Sequence, residues 1–250
     1  MEWTAPCIVL SAQPYGEADC LAAVFSEDQG LYRGLVRGGT SRQRGGIWQP
    51  GNLVMARWTA RLADQLGSLT AELIHPAAAL AMDDPLNLAV LRSLCTVAEG
   101  ALPDREAHPA AFIPLPGLLT RLSLGGGQVV EDTIRWEAIL LRELGYGLDL
   151  QRCAVTGQVS GLHYVSPRTG RAVSSDAAEP WLDRLLPLPA FLLHQAETDS
   201  DPVAWRDGLR LTGYFLSRDV FGTRHRPLPP ARMSLYDRIS ALTETEREHA

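Results

Sequence analysis

The chain has 250 residues, 46% of them hydrophobic and 21% charged, with a formal net charge of −6. Those proportions exclude a disordered chain, and no apolar run reaches the ~20 residues that a bilayer span needs. All 23 basic residues are arginine, which excludes a P-loop, because that motif needs a lysine after its glycines. Every cationic contact therefore uses a planar fork suited to phosphate and carboxylate.

In chain order, MEWTAPCIVL carries an acid and no base ahead of its short apolar stretch, so no signal peptide is expected and the protein is placed in the cytoplasm. Residues 7–10, 20–25, 31–37, 52–60 and 68–73 read as short strands separated by turn chemistry at Gln13–Gly16, Glu27–Gly30, Val36–Gly46 and Asp64–Gly67. Five strands in so short a span suit a small closed barrel of the OB type. Along the fourth strand, Val54, Ala56, Trp58 and Ala60 share one side, leaving Met55, Arg57, Thr59 and Arg61 on the other.

From Pro76 the period becomes helical. A helix is expected at 85–99, opened by Pro85 and stopped at Gly100. Another covers 110–124 after Pro116, ending at Gly125–Gly127. A third spans 132–144 with Asp132 as N-cap and Ile134, Ala138, Leu141 and Leu144 as its buried stripe. Residues 150–180 break into turns and short apolar pairs, like a module inserted in a helical domain. Asp201-Pro202 opens a helix to about Phe221, and a last short one covers 233–242. The expected class is α+β: an N-terminal OB-fold barrel (1–78), a helical domain in two parts (79–150 and 181–242), the insertion (151–180) and a polar tail (243–250).

Charge is unevenly placed. Between Gln29 and Ala63 stand six arginines (Arg33, Arg37, Arg42, Arg44, Arg57, Arg61) and no acid. Arg33 and Arg37 share a strand face, as do Arg57 and Arg61, and the Arg42/Arg44 loop joins those strands. Such a cationic groove suits nucleic acid, because phosphates recur along a strand and each bound arginine releases condensed counterions. Tyr32 and Trp48 offer rings for base stacking. The bland alternative is an arginine-rich hairpin that only keeps a sheet edge solvated. A second cluster, Arg218, Arg224, His225, Arg226, Arg232 and Arg238, forms either a solvated loop or a second basic patch, carried by Arg218, Arg224, Arg226 and Arg232.

MEWTAPCIVLSAQPYGEAD, VFSEDQGLYRGLVRGG, QPGNLV, RWEAILLRELGYGLDLQRCAVTG and HYVSPRTGRAV together resemble the bacterial recombination-mediator family RecO, in order over nearly the whole chain. The resemblance implies an OB barrel, a helical domain and a small zinc-finger-like insertion. It also implies single- and double-stranded DNA as ligands, annealing of complementary strands, and work with RecR, in many bacteria with RecF, to load RecA onto DNA coated by single-stranded-DNA-binding protein. Zinc-bearing members carry a C-x2-C pair on each side of the insertion. Here Cys153 is followed by Thr156, and the second pair corresponds to Ser174 and Ala177, so lost zinc ligands and no cofactor are expected. The resemblance further places the acidic tail of single-stranded-DNA-binding protein on the helical domain. There Arg135 and Arg142 are seven residues apart on one helix face, with Trp136, Ile139 and Leu140 near; an ordinary Glu131–Arg135 pair is the alternative.

Cys7, Cys20 and Cys95 lie in apolar runs and read as buried reduced thiols. The six histidines are isolated, no G-x-S-x-G elbow occurs, and the paired acids precede helices, so a non-enzymatic binding protein is expected. The rival readings are a generic OB-type single-strand binder and a protein-interaction scaffold whose arginines merely confer solubility.

Overall fold

A computed structural model describes residues 1–42, 44–62, 65–122, 127–193 and 201–249, which fall into two compact units, Met1–Gly125 and Gly126–Ala250. Asp64 and the glycines Gly125 and Gly126, on which turns or helix ends are expected, and His194, one of the isolated histidines, lie outside the described residues.

In the first unit β1 (Glu2–Tyr15), β2 (Asp19–Ser26), β3 (Gly30–Val36), β4 (Leu53–Thr59) and β5 (Ser68–His75) close a barrel in the order β1-β2-β3-β5-β4. Patterning placed the first strand only at 7–10, but β1 is 14 residues long. Its length follows from double duty. Glu2–Ile8 pairs with β4, Cys7–Tyr15 pairs with β2, and a bulge between Val9 and Ser11 bends the strand from one partner to the other. The interior is packed with Cys7, Val9, Val24, Val54, Ala56, Trp58 and Leu69, all at most 2% exposed. On β4 the alternation holds: Val54, Ala56 and Trp58 are buried while Met55 and Arg57 are exposed.

Four helices complete this unit: α1 (Ala77–Leu80), α2 (Pro85–Ala101), α3 (Pro109–Phe112) and α4 (Pro114–Arg121). The Asp84 carboxylate accepts from the Leu86 N–H at 2.7 Å and the Asn87 N–H at 3.3 Å, and Pro85 sits where no intrahelical donor is needed. Gly100 does not stop α2. The helix lies along the bulge in β1, where Ser11 Oγ donates to Glu99 at 2.8 Å and Gly51 leaves room for Leu91. The expected helical domain from 79 to 150 is corrected accordingly. Its part before Gly126 belongs with the barrel, because α2 buries its apolar face there.

The second unit is built on α5 (Gln128–Glu143), which begins a turn earlier than expected. Gly127 takes the N-cap, and any side chain there would run into the Trp205 ring. Asp132 therefore lies inside the helix, not at its start. The inserted module forms β6 (Leu162–Val165) and β7 (Ala172–Ser174), joined by a third strand from beyond its expected end, β8 (Leu186–Pro187), with β6 central. Then follow α6 (Ser175–Ala178), α7 (Pro202–Phe215), whose Asp201 cap accepts from Ala204 N–H at 2.8 Å, a π-helical turn at Leu216–Phe221, and α8 (Pro230–His249).

A buried ion pair joins three of these helices. Arg232 of α8 and Glu137 of α5 are each 1% exposed in their side chains and meet at 2.5 and 3.0 Å. Thr212 Oγ1 of α7 donates to Glu137, and the Leu209 carbonyl accepts from Arg232 at 2.7 Å. Removing one member of such a pair strands a charge without water. Glu137→Ala is expected to lower the unfolding free energy by about 3–5 kcal/mol in urea denaturation. A loss of at most about 1 kcal/mol, as for an exposed pair, would contradict this assignment.

Candidate nucleic-acid interface

β3 and β5 are parallel and share a single residue pair, Leu35 with Ser68, after which they splay apart. The splay leaves a groove of about 280 Å³ whose floor includes Ile47, Trp48, Leu69 and Ala71 and whose rim carries Arg37, Arg44 and Thr70. Trp48, expected on the surface, is 3% exposed and packs into the barrel core. Its burial anchors the loop from which the arginines project.

That loop is pinned along its length. Gly38 N–H donates to the Asp19 carboxylate at 2.8 Å, and Thr40 donates twice to the Ala18 carbonyl at 2.8 and 3.0 Å. Buried Asn52 donates to the carbonyls of Gly46 at 2.8 Å and Ile47 at 3.2 Å, and accepts from the Ala78 N–H at 3.1 Å. Asn52 is thus a positioning residue that the sequence did not single out. Inside the loop, Arg44 Nη1 donates to the Arg37 carbonyl at 3.0 Å. Arg37, Arg42, Arg44 and Arg61 are exposed and have no carboxylate partner among the described residues. Register places Arg57 opposite Thr70 on β5, and Arg37 lies just past the end of β3, two residues beyond the Leu35–Ser68 pair.

The six arginines are not equivalent. Arg33 forms ion pairs with Asp104 and, at 3.8 Å, with Glu99. Arg57 binds Glu2 through Nε at 2.7 Å and Nη2 at 2.6 Å. Those two, expected as phosphate contacts, are thus held by acids, unlike the loop arginines. Tyr32, the other ring assigned to stacking, is half-buried and packs against the margin of the barrel core. It meets Trp58 at 5.0 Å and Trp3 at 5.1 Å edge-on, with the Arg105 guanidinium 5.3 Å from its centroid. No local signal marks Arg105, whose partners lie far away in sequence.

In the second unit, α5 lines a cleft of about 450 Å³ with Ala138, Ile139, Leu148, Leu150 and Phe191, flanked by Arg135 and Arg142. Trp136 and Leu140 face the core instead, at 1% and 0% exposure. Arg135 is fully engaged: it pairs with Glu131 at 3.1 Å and Asp132 at 3.3 Å, donates to the Phe191 carbonyl at 3.2 Å and stacks 5.3 Å over the Phe191 ring. Arg142 is exposed. The proposed second basic patch does not hold together, since Arg232 is the buried partner of Glu137. Arg218 is clamped to Asp219 at 2.6 and 2.7 Å, while Arg224 and Arg226 lie on the exposed turn around left-handed His225.

The chain matches the family described as Recombination protein O, N terminal, over residues 1–77, and Recombination protein O, C terminal, over residues 82–228. It belongs to the RecO family. It is 99% identical over 250 residues, the whole of both chains, to the DNA repair protein RecO of Granulibacter bethesdensis. To the proteins of that name from Acidiphilium cryptum and Gluconacetobacter diazotrophicus it is 56% and 55% identical, over 96% and 97% of this chain and 96% of each relative.

In the insertion, Cys153 Sγ is enclosed by donors: the Ser174 N–H and Oγ at 3.3 Å and the Thr156 N–H at 3.5 Å. Among the described residues no group of three or more His, Cys, Asp or Glu is gathered to hold a metal ion. Burial opposes the Cys153 thiolate, but the hydrogen bonds from Ser174 and Thr156 outweigh it and bring the thiol down from 9.0 to about 6. A depressed pKa stabilises the fold above the unfolded value and loses that contribution as pH falls through the folded one. The stability difference between the native protein and Cys153→Ala is therefore expected to widen from pH 6 to pH 9. A gap that stays constant over that window in denaturant titrations would refute the hydrogen-bonded thiolate.

Proposed function

We propose that this protein is a non-enzymatic DNA repair factor of the RecF(O)R pathway. It binds single- and double-stranded DNA, anneals complementary strands and, with RecR, helps load RecA onto DNA coated by single-stranded-DNA-binding protein. It works in the cytoplasm at the nucleoid. The observation that carries the reading is the groove between β3 and β5, an apolar floor rimmed by Arg37 and Arg44 beside exposed Arg42. A base lies over Ile47 while its phosphates meet the guanidinium rim, with Arg61 extending the track past β4. Family membership and the names of the relatives support the DNA repair role. The closed five-stranded barrel is taken as the OB-fold of that family, spanning about 1–78. The insertion, with Cys, Thr, Ser and Ala at positions 153, 156, 174 and 177, does not fit a zinc site, because one thiol cannot replace four ligands.

Annealing needs two polyanions brought together, and counterion release supplies the drive. With four phosphates engaged, log K for single strands should fall against log salt with a slope of about −3, at ~0.7 per phosphate. Arg37→Ala, Arg42→Ala and Arg44→Ala combined should reduce this to about −1, whereas Arg33→Ala and Arg57→Ala should leave it unchanged. Salt-titrated binding to a fluorescent oligonucleotide reads both. Equal losses in the two sets would remove the groove from the site, and binding of naked strands without annealing on coated DNA would favour a generic single-strand binder.

The cleft beside α5 is assigned to the acidic tail of single-stranded-DNA-binding protein, its apolar end against Ile139, Leu148 and Phe191 and its carboxylates at Arg142. Arg142→Ala should weaken a tail peptide about tenfold, near 1.4 kcal/mol, with DNA affinity unaltered. Fluorescence anisotropy showing the reverse pattern would move the tail elsewhere.

A further inference from the structure

The π-helical turn that extends α7 brings together side chains that neither groove uses. Arg218 stacks 5.4 Å from the Tyr214 ring and 4.9 Å from Phe215, both on the preceding helical turn. Its Nη1 also donates to the carbonyl of Pro167, in the tight turn between β6 and β7, and Gly170 of that turn packs near Phe215. Arg218 thus ties the inserted module to the extension of α7, and Arg168 is the residue that follows its Pro167 partner in the turn. Arg210 precedes Tyr214 by four residues, so the two side chains are neighbours on one helix face. Arg168 and Arg210 are exposed and have no carboxylate partner among the described residues, and Tyr214 is 39% exposed. The acids on α7 and its extension are already occupied: Asp207 holds Arg206 at 2.9 Å and Asp219 holds Arg218. What remains is two uncompensated guanidiniums, Arg210 one helical turn from Tyr214 and Arg168 on the adjoining turn, near a half-exposed ring that Arg218 already meets on one side.

We infer that Arg168, Tyr214 and Arg210 form a second nucleic-acid contact surface, on the second unit, that holds a second DNA strand through its phosphates and one stacked base. This rests on the proposed annealing function and gives it a second binding site. The combination of two arginines and a ring favours a nucleic acid over an acidic peptide. Guanidiniums take phosphates, and the ring offers a sequence-tolerant π-face.

The test compares the full chain with Arg168→Ala/Arg210→Ala and with Arg168→Lys/Arg210→Lys. The two readouts are the Kd of one labelled oligonucleotide under protein excess and the annealing rate of two complementary oligonucleotides. The alanine variant is expected to bind the single oligonucleotide within about twofold of the parent and to anneal about tenfold more slowly. The lysine variant keeps the charge and should anneal within about threefold of the parent. Tyr214→Leu, which keeps the bulk but not the π-face, should slow annealing without changing the melting temperature. Unchanged annealing in the alanine variant would overturn this surface while leaving the barrel groove standing. Equal loss in the alanine and lysine variants would overturn the phosphate contact, and a parent that neither binds nor anneals would overturn the proposed function itself.

Discussion

Closure of the barrel by β1 decides what each aromatic and cationic side chain in the first unit can do. Because Glu2–Ile8 pairs with β4 and Cys7–Tyr15 with β2, no strand edge is left open between them, and inner and outer faces are fixed by alternation. Trp3 and Tyr32, both half-buried, are thereby brought against the buried Trp58 and the arginines of β3 and β4 are turned outward. The same closure puts Glu2 next to Arg57, so the strand that seals the barrel also neutralises one of its cations.

The proposed interface turns on which guanidiniums are already held. A guanidinium paired with carboxylates has given up much of the gain it would make with a phosphate, since its counterion is part of the protein. Asp104 and Glu99, from the segment after the barrel, hold Arg33 in this way. The loop residues Arg37, Arg42 and Arg44 lie past the end of β3, where no carboxylate of the described residues pairs with them. Loop rigidity completes the site. Trp48 plugs the core and Asn52 binds the loop exit to α1, so the arginines stand on a fixed base and less conformational entropy is lost on binding.

Much of this was legible in the sequence, where the signal is local. Alternation along β4 separates Trp58 from Arg57, the Asp84-Pro85 and Asp201-Pro202 pairs mark two helix starts, and the arginine run marks the cationic loop. What escaped reading depends on residues distant in the chain. Arg33 meets an acid 71 residues away, and Arg232 meets Glu137 across 95, so neither pairing leaves a trace in its own neighbourhood. Trp48 looks like a surface ring because it adjoins glycines and arginines, yet it fills the barrel core, and Tyr32 is half-buried against the core's margin. Asp132 has the chemistry of a cap, but α5 starts one turn earlier, with Gly127 at its N-cap lying close against Trp205.

The central claim is that the uncompensated arginines, not the carboxylate-held ones, meet the nucleic acid. Arginine footprinting tests it most directly: the full chain is treated with a guanidinium-selective dicarbonyl reagent, with and without a saturating oligonucleotide, and modification is read at each position by mass spectrometry. The account predicts protection at Arg37, Arg42 and Arg44, with Arg33 and Arg57 unchanged. Protection at Arg33 and Arg57 with the loop still reactive would contradict it.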